Sequence, residues 1–286
     1  MGRIILSAFA DEFSSDIDTQ IKMLSENGIG YIEPRFIGEK NISELSENET
    51  KELKSKLNFA NIGVYSLGSP LGKIKLSDDF DAHLELSKRV FENAAILDAK
   101  RVRMFSFYMR CGQTRAEARG EVVEKLGKMI ELAASFGITL CHENEGGIYG
   151  ESPEECYDIL SAFDGKLKAV FDMGNFVLRG YKPYPDAYKL LSPYVDYFHI
   201  KDALYAGAIV PPGVGEASIK EILSEAVKGG DVVATLEPHL ETFSGLGRLT
   251  GRTFNNPYKF ESKEAAFLVA VEKIKKIVEE INGENL

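Results

Sequence analysis

Basic charge is what this chain has too little of. Its 34 lysines and arginines are outnumbered by 44 aspartates and glutamates, giving a formal charge of −10 with only four histidines. Binding to a phosphate backbone needs clustered Lys and Arg, so nucleic acid is excluded as an expected partner. Long apolar runs are missing too. The opening segment from Met1 to Ala10 meets Asp11 and Glu12 before it reaches the length of a signal peptide's apolar core, and no later stretch is long enough to cross a bilayer. The expectation is a cytoplasmic protein with no membrane partner. The three cysteines, Cys111, Cys141 and Cys156, are odd in number and lack paired spacing, which fits reduced thiols better than a disulfide framework or a zinc ribbon. Cys141 and Cys156 read as packing residues. No Pro/Ser-rich linker, composition break, solenoid-like repeat or low-complexity tract divides the 286 residues, 44% of them hydrophobic. One domain over 1–286 is therefore expected.

What is present is a regular alternation of strand-like and helix-like segments, the pattern of an α/β fold with a parallel sheet. Candidate strands lie near 4–9, 29–35, 62–68, 101–107, 138–143, 168–172, 195–200 and 232–237, with a helical pattern after each. Eight such units predict a closed (β/α)8 TIM barrel. The competing doubly wound sheet, in its dinucleotide-binding form, needs a glycine-rich turn after the first strand; here that turn is Ala10-Asp11-Glu12-Phe13-Ser14, without glycine. Helix punctuation supports the reading. Ile17, Ile21 and Leu24 recur at helical spacing before Gly28, and Ser152-Pro153-Glu154-Glu155 forms a capping box with proline at the first helical position. Ser218 with Glu221 reads as a second box, closed by Gly229. Phe267, Val271, Ile274, Val278 and Ile281 mark a last helix packed on the outside of the barrel.

Four short apolar runs in the second half each end on a polar residue: Thr-Leu-Cys-His-Glu (139–143), Ala-Val-Phe-Asp (169–172), Tyr-Phe-His (197–199) and Val-Ala-Thr-Leu-Glu (233–237). Buried parallel strands read as continuous apolar runs, so Glu143, Asp172, His199 and Glu237 are expected at the C-terminal ends of strands five to eight, where barrel active sites lie. Neighbouring strands are roughly 4.8 Å apart, close enough for four consecutive tips to converge on one ion. Three carboxylates and an imidazole favour one divalent cation: manganese, magnesium, cobalt or zinc. A lone carboxylate closing a strand is commonly a loop start or a helix cap; four at successive strand ends make a site.

Parity puts Cys141 on the same face as Glu143 and turns His142 away. Three carboxylates exceed the charge of a divalent ion, so an anionic substrate calls for further cations: Lys201, on the His199 face, is the nearest, with Arg35, Lys73, Arg248 and Arg252 in or beside presumed top-face loops. His142 and His239 flank candidate ligands as substrate or supporting contacts. His83 reads as a surface or packing residue, and Glu33 and Arg103, from strands two and four, as a pair inside the barrel.

Together, Phe9-Ala10-Asp11-Glu12, Tyr31-Ile32-Glu33, His142-Glu143-Asn144, Phe171-Asp172, His199-Ile200-Lys201-Asp202 and Leu236-Glu237-Pro238 resemble the xylose isomerase-like TIM barrels. That group includes sugar-phosphate isomerases and epimerases, ketose 3-epimerases and the metal-dependent apurinic-site endonucleases. The resemblance implies a metal held by Glu143, Asp172, His199 and Glu237, with Glu143 and Glu237 also moving the substrate proton, and a small sugar or sugar derivative as substrate. It also implies substrate contacts from the strand-seven motif, hence Lys201 and Asp202.

Two departures widen the chemistry. Ketose epimerases usually carry a histidine three residues after the strand-six aspartate, where this chain has Asn175, and an acidic residue and an arginine after strand seven, where Asp202 leads into the loop 210–216. Aldose–ketose isomerisation and dehydration of a cyclic polyol or sugar acid therefore stand beside epimerisation, as does a non-catalytic sugar-binding barrel. The endonuclease reading needs a trinuclear zinc cluster, for which four histidines are too few. The segment 240–260, with its glycines, aromatics, Arg248 and Arg252, suits a cover over the site; an irregular insertion or a homo-oligomer contact is the alternative.

Overall fold

The computed structural model describes residues 2–241 and 257–284. Eight parallel strands occur in the expected places: β1 (Ile4–Ala8), β2 (Tyr31–Ile32), β3 (Gly63–Val64, resumed at Leu67–Gly68), β4 (Arg101–Met104), β5 (Thr139–Glu143), β6 (Leu167–Asp172), β7 (Val195–Ile200) and β8 (Val232–Leu236). Seven of them form one sheet in the order β1-β8-β7-β6-β5-β4-β3. The short β2 pairs with the first half of β3 through Tyr31–Gly63 and Ile32–Val64, and the Glu33 amide donates to the Ala8 carbonyl at 3.0 Å. Those bonds bring β2 between the two sheet edges and complete the circuit of a TIM barrel. Helices surround it: α1 (Ile17–Glu26), α2 (Glu47–Phe59), α3 (Phe80–Ile96), α4 (Arg115–Ser135), α5 (Pro153–Ser161), α6 (Met173–Leu178), α7 (Tyr188–Leu191), α8 (Ile219–Ala226) and α9 (Lys263–Glu284). No helix of the described residues is long and apolar enough to cross a membrane.

Two apolar regions follow from strand alternation. Residues such as Leu140, Phe171, Phe198 and Ala234 face outward into the large core beneath the helices. Cys141, Val170, Tyr197 and Val233 form a separate cluster with Ile5 and Tyr65. These four precede Glu143, Asp172, His199 and Thr235 by two residues, so they share a strand face with them and fill the lumen below the polar tips. All three cysteines are free, Cys141 and Cys156 being buried.

Helix ends show where local sequence decided the outcome. Gly28 follows α1 with φ +63°, the left-handed conformation glycine adopts without strain. Ser152 and Glu155 make the expected reciprocal capping box at α5. Ser218 does not: it is itself left-handed at φ +54° and caps nothing. Its backbone is committed to leaving the loop 210–217, and that geometry overrides the S-x-x-E pattern. α8 ends at Ala226, and a single 3₁₀ turn over Val227–Gly229 completes the exit. Along α9, Phe267, Val271, Ile274 and Ile281 are buried as the stripe predicts.

Replacing Ser152 by alanine is expected to cost about 1 kcal/mol of unfolding free energy, whereas Ser218→Ala is expected to change it by less than about 0.5 kcal/mol. Urea unfolding of both variants measures the difference; equal losses would contradict this assignment of the caps.

Candidate metal centre

Glu143, Asp172, His199 and Glu237 are all buried, and each offers a ligand atom within 4.8 Å of the others. Strand register brings them together: His199 lies opposite Asp172 across β6 and β7, and the Glu237 amide donates to the Ile200 carbonyl at 3.1 Å. The Nδ1 atom of His199 is 3.3 Å from Glu143 Oε1 and 3.3 Å from Glu237 Oε2. It is buried and has no hydrogen-bond partner among the described residues.

The other ring nitrogen is taken. His199 Nε2 lies 3.3 Å from Glu33 Oε2, while Glu33 Oε1 accepts from the Tyr197 hydroxyl at 2.7 Å. Glu33 is therefore not the partner of Arg103, correcting the expectation from the sequence. Arg103 Nη1 instead donates to Glu143 Oε2 at 2.6 Å. The reason is placement within the lumen: Glu33 sits level with Tyr197 and beneath the imidazole, and Arg103 reaches up to the tip of the adjacent β5. A carboxylate on Nε2 favours a proton there, which makes Nδ1 the ring nitrogen that would serve a metal ion.

Negative charge is in excess here. Among the described residues, buried Asp11, Glu12, Glu33, Glu143, Asp172 and Glu237 face Arg35, Arg103 and Lys201 as buried permanent or near-permanent cations. Burial, with the charges of Glu143 and Glu237, pushes the Asp172 carboxyl up to about 7 although Lys201 opposes the shift. Burial alone would lower the His199 imidazole, but the charges of Glu143 and Glu33 raise it well above its ordinary value. Glu143 and Glu237 go the other way: burial would raise them, and the neighbouring cationic side chains hold both below the carboxylate range. A centre that draws protons onto Asp172 and His199 is short of positive charge. A divalent cation, with three oxygen ligands and the orphaned imidazole nitrogen, supplies it. The cluster fits a metal site.

The remaining predicted residues divide. Lys201 enters the cluster itself, its Nζ donating to Asp172 Oδ2 at 2.7 Å, Glu237 Oε2 at 3.0 Å and Asn175 Oδ1 at 3.3 Å. Gly174 permits this approach, since a Cβ there would meet Lys201 Cγ at 2.7 Å. Asp172 combines the site reading with the bland one: Oδ1 caps α6 through the Asn175 amide at 2.8 Å, leaving Oδ2 to the cluster. His239 is brought beside Glu237, with Nε2 3.9 Å from Glu237 Oε1 and Nδ1 3.1 Å from Glu12 Oε1.

One placement corrects an expectation. Asp202 turns away from the ligands; its two oxygens accept from the amides of Ala203, Gly213, Gly215 and Ala217 at 2.8–3.1 Å. It organises the loop after β7 and has no substrate-facing oxygen to spare. His142 points away as its parity predicts, to Ser106 Oγ at 3.0 Å, on the face of β5 opposite Glu143, and is not brought among the ligands. Arg248 and Arg252, and most of the proposed cover, lie outside the described residues. Lys73 is 3.0 Å from Glu145 and sits over the Phe105 ring. The sequence reading passed over Asp11 and Glu12 as site residues and named Arg35 only as a loop cation. Asp11 and Glu12 close the apolar run of β1 as the four ligands close theirs, a signal that was available.

The comparisons agree with this architecture. A profile of xylose isomerase-like TIM barrels matches residues 21–279. No curated protein is similar enough to count as a match. Among solved structures, a D-tagatose 3-epimerase-like protein is 16% identical over 100% of both chains with a TM-score of 0.74. IolI, solved with a bound zinc atom, is 17% identical over 98% of this chain and 99% of its own, also at 0.74. The probable 3-DHS dehydratase AsbF from Bacillus anthracis is 20% identical over 83% and 92%, at 0.67. At such identities these similarities establish the fold.

His142 generates a test by pH. Burial lowers its pKa from 6.5 to about 3, so the unfolded chain takes up a proton in a range where the folded chain does not. Stability is whole above pH 6.5 and falls as the pH drops towards 3, by a few kcal/mol at most from this group. His142→Gln is expected to flatten that acid limb, measured by urea unfolding across the range; an unchanged limb would show that other groups carry it.

Proposed function

This chain belongs to the family of xylose isomerase-like TIM barrels, and on that premise we propose that it is a divalent-metal-dependent isomerase or epimerase. Its substrate is a small sugar, sugar derivative or sugar phosphate, and its chemistry is proton transfer at the carbon beside a carbonyl. The observation that carries the reading is the buried His199 Nδ1, without a hydrogen-bond partner among the described residues and 3.3 Å from both Glu143 and Glu237, with Nε2 claimed by Glu33. Glu143, Asp172, His199 and Glu237 would hold one ion, with manganese, magnesium, cobalt and zinc all compatible with an O3N set. When bound, the ion supplies Lewis-acid polarisation of the carbonyl and the neighbouring hydroxyl.

Glu143 and Glu237 take and return the proton from the β5 and β8 sides of the site. Each has its own guanidinium, Arg103 at 2.6 Å for Glu143 and Arg35 at 2.7 Å for Glu237; against burial, His199 and then Arg103 hold the Glu143 carboxyl low, and Lys201 with the two histidines holds that of Glu237. Asn175 Nδ2 reaches Glu143 Oε1 at 3.3 Å, fixing the orientation of that carboxylate. Lys201 and His239, beside Glu237, would orient substrate oxygens, and burial of the cluster would strengthen those contacts.

Dehydration is the second reading. Asn175, where ketose epimerases usually have histidine, and the similarity to AsbF favour it. The same proton abstraction would then be followed by loss of a neighbouring hydroxyl as water. Substrate-dependent uptake of solvent deuterium into a recovered sugar supports isomerisation, whereas an enone absorbing in the ultraviolet supports dehydration.

Glu237→Gln is expected to keep the fold and lose about 10²-fold or more in turnover; near-normal turnover on the true substrate would rule out Glu237 as an acid or base. Glu33→Gln is expected to weaken metal binding by about 10–100-fold, read by calorimetric titration of the stripped protein. Unaltered affinity would leave Glu33 a packing residue.

A further inference from the structure

Beside the first group of would-be ligands stands a second: Glu12, Glu237 and His239 are buried and also offer atoms within 4.8 Å of one another. Glu237 belongs to both groups, which is the arrangement of a carboxylate bridging two metal ions. In the second position, however, the chain places a guanidinium. Arg35 donates from Nη1 to Glu237 Oε1 at 2.7 Å and from Nη2 to Glu12 Oε1 at 3.2 Å. These are the two oxygens that His239 approaches, at 3.9 and 3.1 Å. Arg35 cannot readily swing aside: it is 1% exposed, its Nε is held by Asp11 Oδ2 at 2.9 Å, and its guanidinium lies 4.2 Å from the centre of the Phe9 ring.

We propose that Arg35 is the built-in second cation of this centre, standing where Glu12, Glu237 and His239 would otherwise hold a second metal ion and so limiting the chain to one. The inference rests on the metal reading above. A guanidinium keeps its charge across the physiological pH range, cannot be removed by chelators and has a fixed planar set of donors. Glu237 therefore meets a permanent cation on Oε1, and an exchangeable ion would share Oε2 with Lys201, which donates to it at 3.0 Å. The guanidinium brings one positive charge where a second divalent ion would bring two, so the position is filled and partly neutralised without a second metal ion.

The test is metal stoichiometry. Chelator-stripped protein is titrated with manganese, free ion is followed by electron paramagnetic resonance, and retained ion is counted by elemental analysis after dialysis. One ion per wild-type chain and two per Arg35→Leu chain are expected. Two ions on the wild-type protein, or one on a folded Arg35→Leu variant, would overturn the inference and leave the metal reading standing. No ion on the wild-type protein would overturn both. Arg35→Leu strands three carboxylates, so Glu12→Gln serves if it fails to fold. Because Glu12 serves the guanidinium and is not one of the four ligands, Glu12→Gln is expected to keep one ion per chain; a folded Glu12→Gln chain that retains none would mean that the ion uses Glu12 and would overturn the inference.

Discussion

The upper end of this barrel depends on an imbalance of buried charge. Among the described residues six carboxylates are packed there against three basic side chains, and isolated charges cannot be buried at a bearable cost. The neighbouring features are responses to that constraint. Arg35 is divided among Asp11, Glu12 and Glu237, Arg103 is committed to Glu143, and Lys201 bridges Asp172 and Glu237. What remains is still negative, and Asp172 and His199 respond by holding protons more tightly. A site that must borrow protons to reach neutrality is prepared for a cation.

The barrel makes such crowding possible. Successive parallel strands deliver one tip each to the same rim, and two-residue alternation places Cys141, Val170 and Tyr197 directly beneath Glu143, Asp172 and His199. That floor shuts water out from below, so electrostatic interactions above it act at reduced screening. The polar members of the floor carry a second duty. Tyr197 fixes Glu33 through its hydroxyl, and Glu33 in turn fixes the imidazole one layer up. Packing and ligand orientation are thus the same set of contacts viewed at two heights.

How much of this was legible in the sequence varies with how local the cause is. Strand ends were readable because an apolar run closing on a carboxylate is a one-dimensional signal; all four proposed ligands converge. The cap at Ser152 was readable for the same reason, and Ser218 was not, because its left-handed backbone is imposed by the loop before it. Asp202 was misread since a carboxylate three residues past a ligand looks the same whether it faces a substrate or four loop amides. The partners of Glu33 and Arg103 depend on relative height within the lumen, which strand order alone does not give. Arg35 was visible only as a cation near a loop; its bond to Glu237 joins residues 202 positions apart.

The cations around each proposed proton carrier have a chemical consequence. A carboxylate held below its ordinary proton affinity is a weak base, so Glu143 and Glu237 could not by themselves remove a proton from an unactivated carbon. Their competence would depend on acidification of that carbon, which is the contribution expected of a Lewis acid at the same ligands. Glu143 is fixed by Arg103 and Asn175, and Glu237 by Arg35 and Lys201, so the two carboxylates enter the site from β5 and β8 in set orientations. Such a pair could serve removal of a proton and its return; whether a neighbouring hydroxyl is then lost would be decided by the substrate's own substituents rather than by the carboxylates.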